Sequence, residues 1–153
     1  SINSYAIENP LFIRSASKNF GSQSIVVSID VKKNFFGKYQ VVTHSGKRWT
    51  KLDPVQFGVY MEEMGAGELL LNSVDRDGTM KGYDIDLIKK VSEAVSIPVI
   101  ACGGAGKIND LLSAVKDGGA SAVAAGSLFV FKGIHRAVLI NFPSSVELKE
   151  NLF

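Results

Sequence analysis

The stretch Glu68-Leu69-Leu70-Leu71-Asn72 runs into Ser73-Val74-Asp75-Arg76-Asp77-Gly78-Thr79, so two carboxylates and a glycine follow directly on an apolar run of strand length. A helix-like segment comes next, which sets these residues at the end of a parallel strand, where α/β proteins carry their chemistry. The arrangement recurs on both sides: one apolar run ends in Asp30, another in Gly103-Gly104 and a third in Gly126-Ser127. Several strand ends are therefore expected to converge on one site.

Residues 24–30 are β-branched or apolar at nearly every position, the pattern of a strand buried on both faces of a parallel sheet. Before them, Asn9-Pro10 supplies a helix N-cap with proline at the first helical position, which predicts a helix over 10–19 that Gly21 ends. After them, Phe36-Gly37-Lys38 and residues 39–43 predict a turn and a short rim hairpin, closed by Ser45-Gly46-Lys47. Asp53-Pro54 repeats the cap signal, with Val55, Val59, Tyr60 and Met64 on one helical stripe before Gly65. Asp84 opens another helix with Leu87, Ile88, Val91 and Val95 inward, and residues 97–101 return as a strand. A last helix over 109–115 leads to a strand over 121–125.

Strand, loop and helix repeated in this order mean parallel βαβ units, with four complete strands in a single domain spanning 1–153. Four such strands are half of a (β/α)₈ TIM barrel, and an open half would expose two unpaired edges and need partners or its missing half. A flavodoxin-like open sheet is the alternative fold, since it needs no closure. The 46% hydrophobic content is enough for a sizeable core in 153 residues, which argues against disorder. Seventeen basic against fifteen acidic residues leave a net charge of +2, too weak a bias for a nucleic-acid or membrane surface, although a local cationic pocket is compatible with it. The single Cys102 excludes an internal disulfide, and without a secretory leader or a bilayer-length apolar run the chain reads as cytoplasmic. It opens without methionine at Ser1-Ile2-Asn3-Ser4, a strand-like piece with no preceding turn, as in a polypeptide that has lost its beginning.

Six stretches together resemble the cyclase subunit of imidazole glycerol phosphate synthase, over Ser1 through at least Phe131. They are Val26-Val27-Ser28-Ile29-Asp30, Ser45-Gly46-Lys47, Gly65-Ala66-Gly67-Glu68, Ser73 through Thr79, Gly82-Tyr83-Asp84 and Gly103-Gly104-Ala105-Gly106. The sister isomerase of histidine synthesis shares the Asp-Gly-Thr stretch, but the combination is more similar to the cyclase. The resemblance implies the carboxyl-terminal part of a (β/α)₈ barrel, beginning within its fourth strand. It implies a lyase of histidine biosynthesis that takes ammonia from a glutaminase partner. With a phosphorylated ribulosyl nucleotide this gives imidazole glycerol phosphate and an aminoimidazole ribonucleotide, and no cofactor is implied.

Two terminal phosphates on that substrate give the glycines a chemical purpose, because backbone N–H groups approach a phosphate only where side chains do not intervene. Gly103, Gly104, Gly126 and Ser127, after the strands that would be the seventh and eighth, are the candidate cradle; small residues required by turns are the alternative. Bulk at Gly104 or Gly126 is accordingly expected to act on ligand binding more than on the fold. Gly78 is placed at the opposite phosphate, with Asn3 and Ser4 what remains of the set that the family uses there. Ring closure needs proton removal from nitrogen and proton delivery to oxygen, work for carboxyl groups in differing environments. By resemblance Asp30 holds the strand-five acid position and Asp77 a supporting one, while the family's strand-one aspartate is missing. Glu68, at the amino end of its strand, matches a glutamate of the gate that admits ammonia.

Other chemistry-bearing residues are read as ordinary. Asp75 is an ion pair with Arg76 or a loop brace, His44 and His135 have no metal-ligand spacing, and Cys102 is a small core residue rather than a nucleophile. Phe35, Phe36 and Trp49 pack a hairpin or cover the site loop. Residues 50–54 and 125–141 depart from the histidine-pathway pattern and resemble a cyclase paralogue of surface-polysaccharide synthesis, in which an ammonia-delivering pair converts a sugar acetamido group to an acetamidino group. A half-barrel that self-associates without catalysis is the reading from another class.

Overall fold

Four apolar segments, separated by amphipathic ones, form the parallel heart of one sheet in the computed structural model, which describes residues 1–133, 137–140, 142–144 and 146. In chain order the elements are α1 (Ser4–Glu8), α2 (Pro10–Phe20), β1 (Val26–Lys33), β2 (Tyr39–Thr43), β3 (Arg48–Trp49), α3 (Pro54–Glu63) and β4 (Glu68–Ser73). There follow α4 (Ile85–Ser92), β5 (Val99–Cys102), α5 (Ile108–Lys116), β6 (Ala122–Ala124) and α6 (Ser127–Val130), then a separate ribbon of β7 (Phe131–Lys132) and β8 (Ala137–Val138). The six-stranded sheet has the order β3-β2-β1-β4-β5-β6. Strands β1, β4, β5 and β6 run parallel, and β2 and β3 add the antiparallel hairpin expected on the rim.

Side-chain parity separates the two faces of this sheet. Val27, Ile29 and Val31 of β1, Leu69 and Leu71 of β4, and Val99 and Ala101 of β5 are all buried with Ile13, Phe57, Met61, Leu87, Val91 and Leu111 from the helices. The intervening residues Val26, Asp30, Lys32, Leu70, Asn72, Ile100 and Cys102 are half-buried. Residues 24–30 are thus not buried on both faces: one face takes the helices and the other stays partly open. A doubly wound sheet would have buried both.

The strand containing Asp30 also differs from its expected bounds. Ser22–Ser24 is a 3₁₀ turn, and β1 continues past Asp30 to Lys33 because β2 takes over its pairing there, with Lys33 opposite Tyr39. Asp30 is nevertheless level with the ends of the neighbouring strands, since it pairs with Asn72 and Asn72 with Cys102. Ile2, in the strand-like opening, bridges Val27 in parallel, and Ser28 N–H donates to Ile2 O at 2.8 Å.

The helix caps divide between signal and bond. Asn9 precedes Pro10 as expected but its side chain makes no capping bond, whereas Asp53 accepts from Val55 N–H at 2.9 Å and Gln56 N–H at 3.1 Å. Asp53→Ala is therefore expected to lose about 1 kcal/mol of stability, read as a lower urea midpoint at unchanged slope. Helix α3 buries Pro54, Phe57, Gly58 and Met61, one residue round from the anticipated stripe, and leaves Tyr60 exposed. Gly58 sets this rotation, because its Cβ position lies 3.2 Å from Leu69 Cδ1, so the helix rests on β4 through a residue without a side chain. His135 lies outside the described residues, as does part of the departing segment 125–141.

Candidate functional site

On the half-open face the register stacks three rows of side chains. Val26 and Glu68 form the first, at the amino ends of β1 and β4, and Ser28, Leu70, Ile100 and Ala122 the second. Asp30, Asn72, Cys102 and Ala124 form the third, at the carboxyl ends. Glu68 and Asn72 are four residues apart along one strand, which separates the first row from the third by roughly 13 Å.

Asp30 is held from both sides. Asn3 donates through Nδ2 to Asp30 Oδ2 at 3.0 Å, and Asn72 donates through Nδ2 to Asp30 Oδ1 at 2.9 Å. A carboxylate only accepts, so these contacts fix which way both amides point. Asn72 Oδ1 is then turned toward Gly103, just past β5, and is buried without a hydrogen-bond partner. Ser4, beside Asn3, donates to Asn3 Oδ1 at 3.3 Å and accepts from His44 N–H at 3.4 Å. His44 itself contacts Thr43 Oγ1 through Nδ1 at 3.0 Å.

The other residues singled out in the sequence gather at the opposite side of the row. Asp77, Gly78, Cys102, Gly103, Gly104, Gly126 and Ser127 line one small recess of about 20 Å³. Gly78 therefore joins the glycines of the candidate cradle instead of standing opposite them with Ser4. The glycines at 103 and 104 are demanded by the chain itself. A Cβ on Gly103 would sit 2.6 Å from Ser73 O, and one on Gly104 2.3 Å from Gly82 O, both at positive φ. Gly126 differs, with a φ of −109° and nothing within 4 Å of its Cβ position. The expectation that bulk at Gly104 spares the fold is thus corrected by the close backbone packing, while Gly126 has room for a side chain.

Cys102 lies between the two acids electrically. Burial raises its thiol pKa, the negative charge of Asp77 adds to that, a backbone hydrogen bond at Gly103 opposes it, and Asp30 raises it further. The group is a neutral thiol at pH 7, in line with a residue that is not a nucleophile, but it lines the recess on the half-open face instead of packing in the core. Alkylation by iodoacetamide at neutral pH is expected to be slower than that of an unstructured cysteine peptide, and a rate equal to the peptide's would contradict the burial.

The loop after β4 is braced by charge. Asp75 takes the loop-brace role, accepting from Lys33 N–H at 2.8 Å, and its ion-pair partner is Lys32 at 3.9 Å instead of Arg76. Arg76 reaches Asp84 at 3.8 Å and donates to Gly82 O at 3.2 Å. Asp84, buried at 7% exposure, also caps α4 through Leu87 N–H and accepts from the Tyr39 hydroxyl at 2.7 Å. Tyr83 donates its hydroxyl to Ala124 O at 2.9 Å, which ties this loop to the strand leading into Gly126. Sequence reasoning missed Asn72 and Lys32. Their signal was parity with Asp30, since both belong to the half-open face, where Lys32 stacks 5.7 Å from the Trp49 ring.

Among the described residues no group of three or more His, Cys, Asp or Glu side chains could hold a metal ion, and no helix is long and apolar enough to cross a membrane. Parallel strands in one α/β sheet, with acids and glycines collected where those strands end, define the class as an α/β protein with its candidate site at the strand ends. The chain belongs to the histidine biosynthesis protein family, whose sequence pattern matches residues 1–135, and its sheet is consistent with that family's TIM barrel. A Leptospira interrogans protein provisionally named imidazole glycerol phosphate synthase subunit HisF is 48% identical over 153 residues, covering 99% of this chain and 60% of its own length. A Pseudomonas aeruginosa protein provisionally named subunit hisF2 is 50% identical over 143 residues, covering 94% and 57%. A Vibrio vulnificus protein provisionally named subunit hisF3 is 44% identical, covering 99% and 59%. The chain thus spans less than two thirds of the length of these curated relatives.

Proposed function

We propose that the chain is the carboxyl-terminal part of a cyclase subunit of the imidazole glycerol phosphate synthase type. The observation that carries this reading is the three-row face, with Glu68 at one end and Asp30, Asn72 and Cys102 at the other. Ammonia from a glutaminase partner enters at the Glu68 end and passes along the middle row of Leu70, Ile100 and Ala122. Asp30, oriented by Asn3 and Asn72, moves a proton at the reacting nitrogen, and Asp77 supports it from the recess. One substrate phosphate rests on the backbone around Gly78, Gly103, Gly104, Gly126 and Ser127, and the other lies toward Ser4. The half-open face is then the interior of a (β/α)₈ barrel, closed by strands that this chain does not supply.

A second reading keeps the ammonia and changes the acceptor to an acetamido sugar. The departure of residues 125–141 from the histidine-pathway pattern supports it, and the numbered names hisF2 and hisF3 mark paralogues among the relatives. The experiment is an assay of the protein in its native coding context with ammonium salt, offering the phosphorylated ribulosyl nucleotide and the sugar in parallel. Turnover of the nucleotide supports the first reading and turnover of the sugar alone the second. Turnover of neither, with concentration-dependent self-association, would return the function to a non-catalytic half-barrel.

A further inference from the structure

Behind the β1–β2 hairpin, on the face of β1 that does not carry Asp30, lies a cavity of about 580 Å³. Lys33, Lys38, Lys51 and Lys90 line it against only two aspartates, Asp53 and Asp86. Both carboxylates are engaged: Asp53 accepts from the first turn of α3, and Asp86 from Lys90 Nζ at 2.9 Å. Lys33 is engaged too, 3.8 Å from Asp84 and 4.6 Å from the Tyr39 ring centre. Among the described residues, the ammonium groups of Lys38 and Lys51 have no ion-pair or hydrogen-bond partner. Lys51 is moreover held at a φ of +64°, a conformation that suits glycine and that side-chain-bearing residues rarely adopt. The turn thus carries a lysine at a position where glycine would be unstrained. The far wall, at Pro54, Val55 and Leu87, is apolar.

We propose that this cavity is an anion site for an organic phosphate, separate from the recess at Gly103. The phosphate sits between Lys38 and Lys51, and the uncharged part of the ligand lies against Pro54, Val55 and Leu87. The volume is within the range of small-molecule sites. Because Lys33 and Asp30 project from opposite faces of one strand, occupancy here would also stiffen the strand that carries the candidate acid.

The test is calorimetric titration of the protein at low salt with ADP and, separately, with inorganic pyrophosphate. ADP is expected to bind saturably, more tightly than pyrophosphate, and more weakly as salt is added. Lys38→Ala and Lys51→Gly should each weaken it by about tenfold or more, while Lys116→Ala leaves it unchanged. Lys51→Gly should at the same time raise the melting temperature, because glycine relieves the strained turn. Absence of saturable binding would overturn the proposal. So would binding that survives both lysine changes, equal affinity for pyrophosphate and ADP, or an equal loss when the remote Lys116 is changed to alanine.

Discussion

If the protein in its native coding context is the cyclase proposed above, Asp30→Asn is expected to lower its ammonia-dependent turnover by about 10²–10⁴-fold while the protein remains folded. The change removes a group that can take and return a proton, and it also removes an acceptor. In the native arrangement both carboxylate oxygens are used, Oδ2 by Asn3 and Oδ1 by Asn72. An amide at position 30 keeps one acceptor oxygen, so either Asn3 or Asn72 points its NH₂ at another NH₂ unless its own amide turns over to offer Oδ1. The mismatch costs about 1–3 kcal/mol, less than the stability of a typical domain. Steady-state turnover with ammonium salt, read beside circular dichroism and a melting curve, separates the two effects. Native turnover in a folded variant would reduce Asp30 to an anchor for two asparagines.

The relation of sequence to structure follows the physics of each signal. Asp53-Pro54 and Asp84 were legible as helix starts because a carboxylate two or three residues ahead of free N–H groups has one obvious use, and both make that bond. The parallel strands were legible from their apolar runs. What such runs hide is which face lacks a cover, since Val26, Leu70 and Ile100 are as apolar as the residues that the helices bury. The open face, and with it Asn72 and Lys32, therefore emerges only from parity and register. The glycine pair was legible as a strand end but not as a packing requirement, because the neighbour that forbids a Cβ at Gly104 is the carbonyl of Gly82, distant in sequence.

That neighbour gives Gly104→Ala a large expected effect on the fold. Gly82 N–H donates to Gly104 O at 2.8 Å, so the two backbones are already in contact. The new methyl would lie 2.3 Å from Gly82 O and 3.1 Å from Arg76 Cβ, at a φ of +111°. Neither obstacle is the yielding end of a side chain, so the loop carrying Arg76 and Asp77 must move away from β5. Strained backbone and overpacking together are expected to cost about 2–4 kcal/mol, or roughly 5–15 °C in melting temperature for a chain of this length. Gly126→Ala provides the contrast, since its φ is already negative and its Cβ position is empty. Its stability should change by no more than about 0.5 kcal/mol, so a loss of affinity for a phosphorylated ligand in that variant reports on the recess and not on folding. A Gly104→Ala protein that melts with the native one would remove the packing requirement. Native ligand affinity in Gly126→Ala would make Gly126 a turn residue and shift the phosphate to its neighbours.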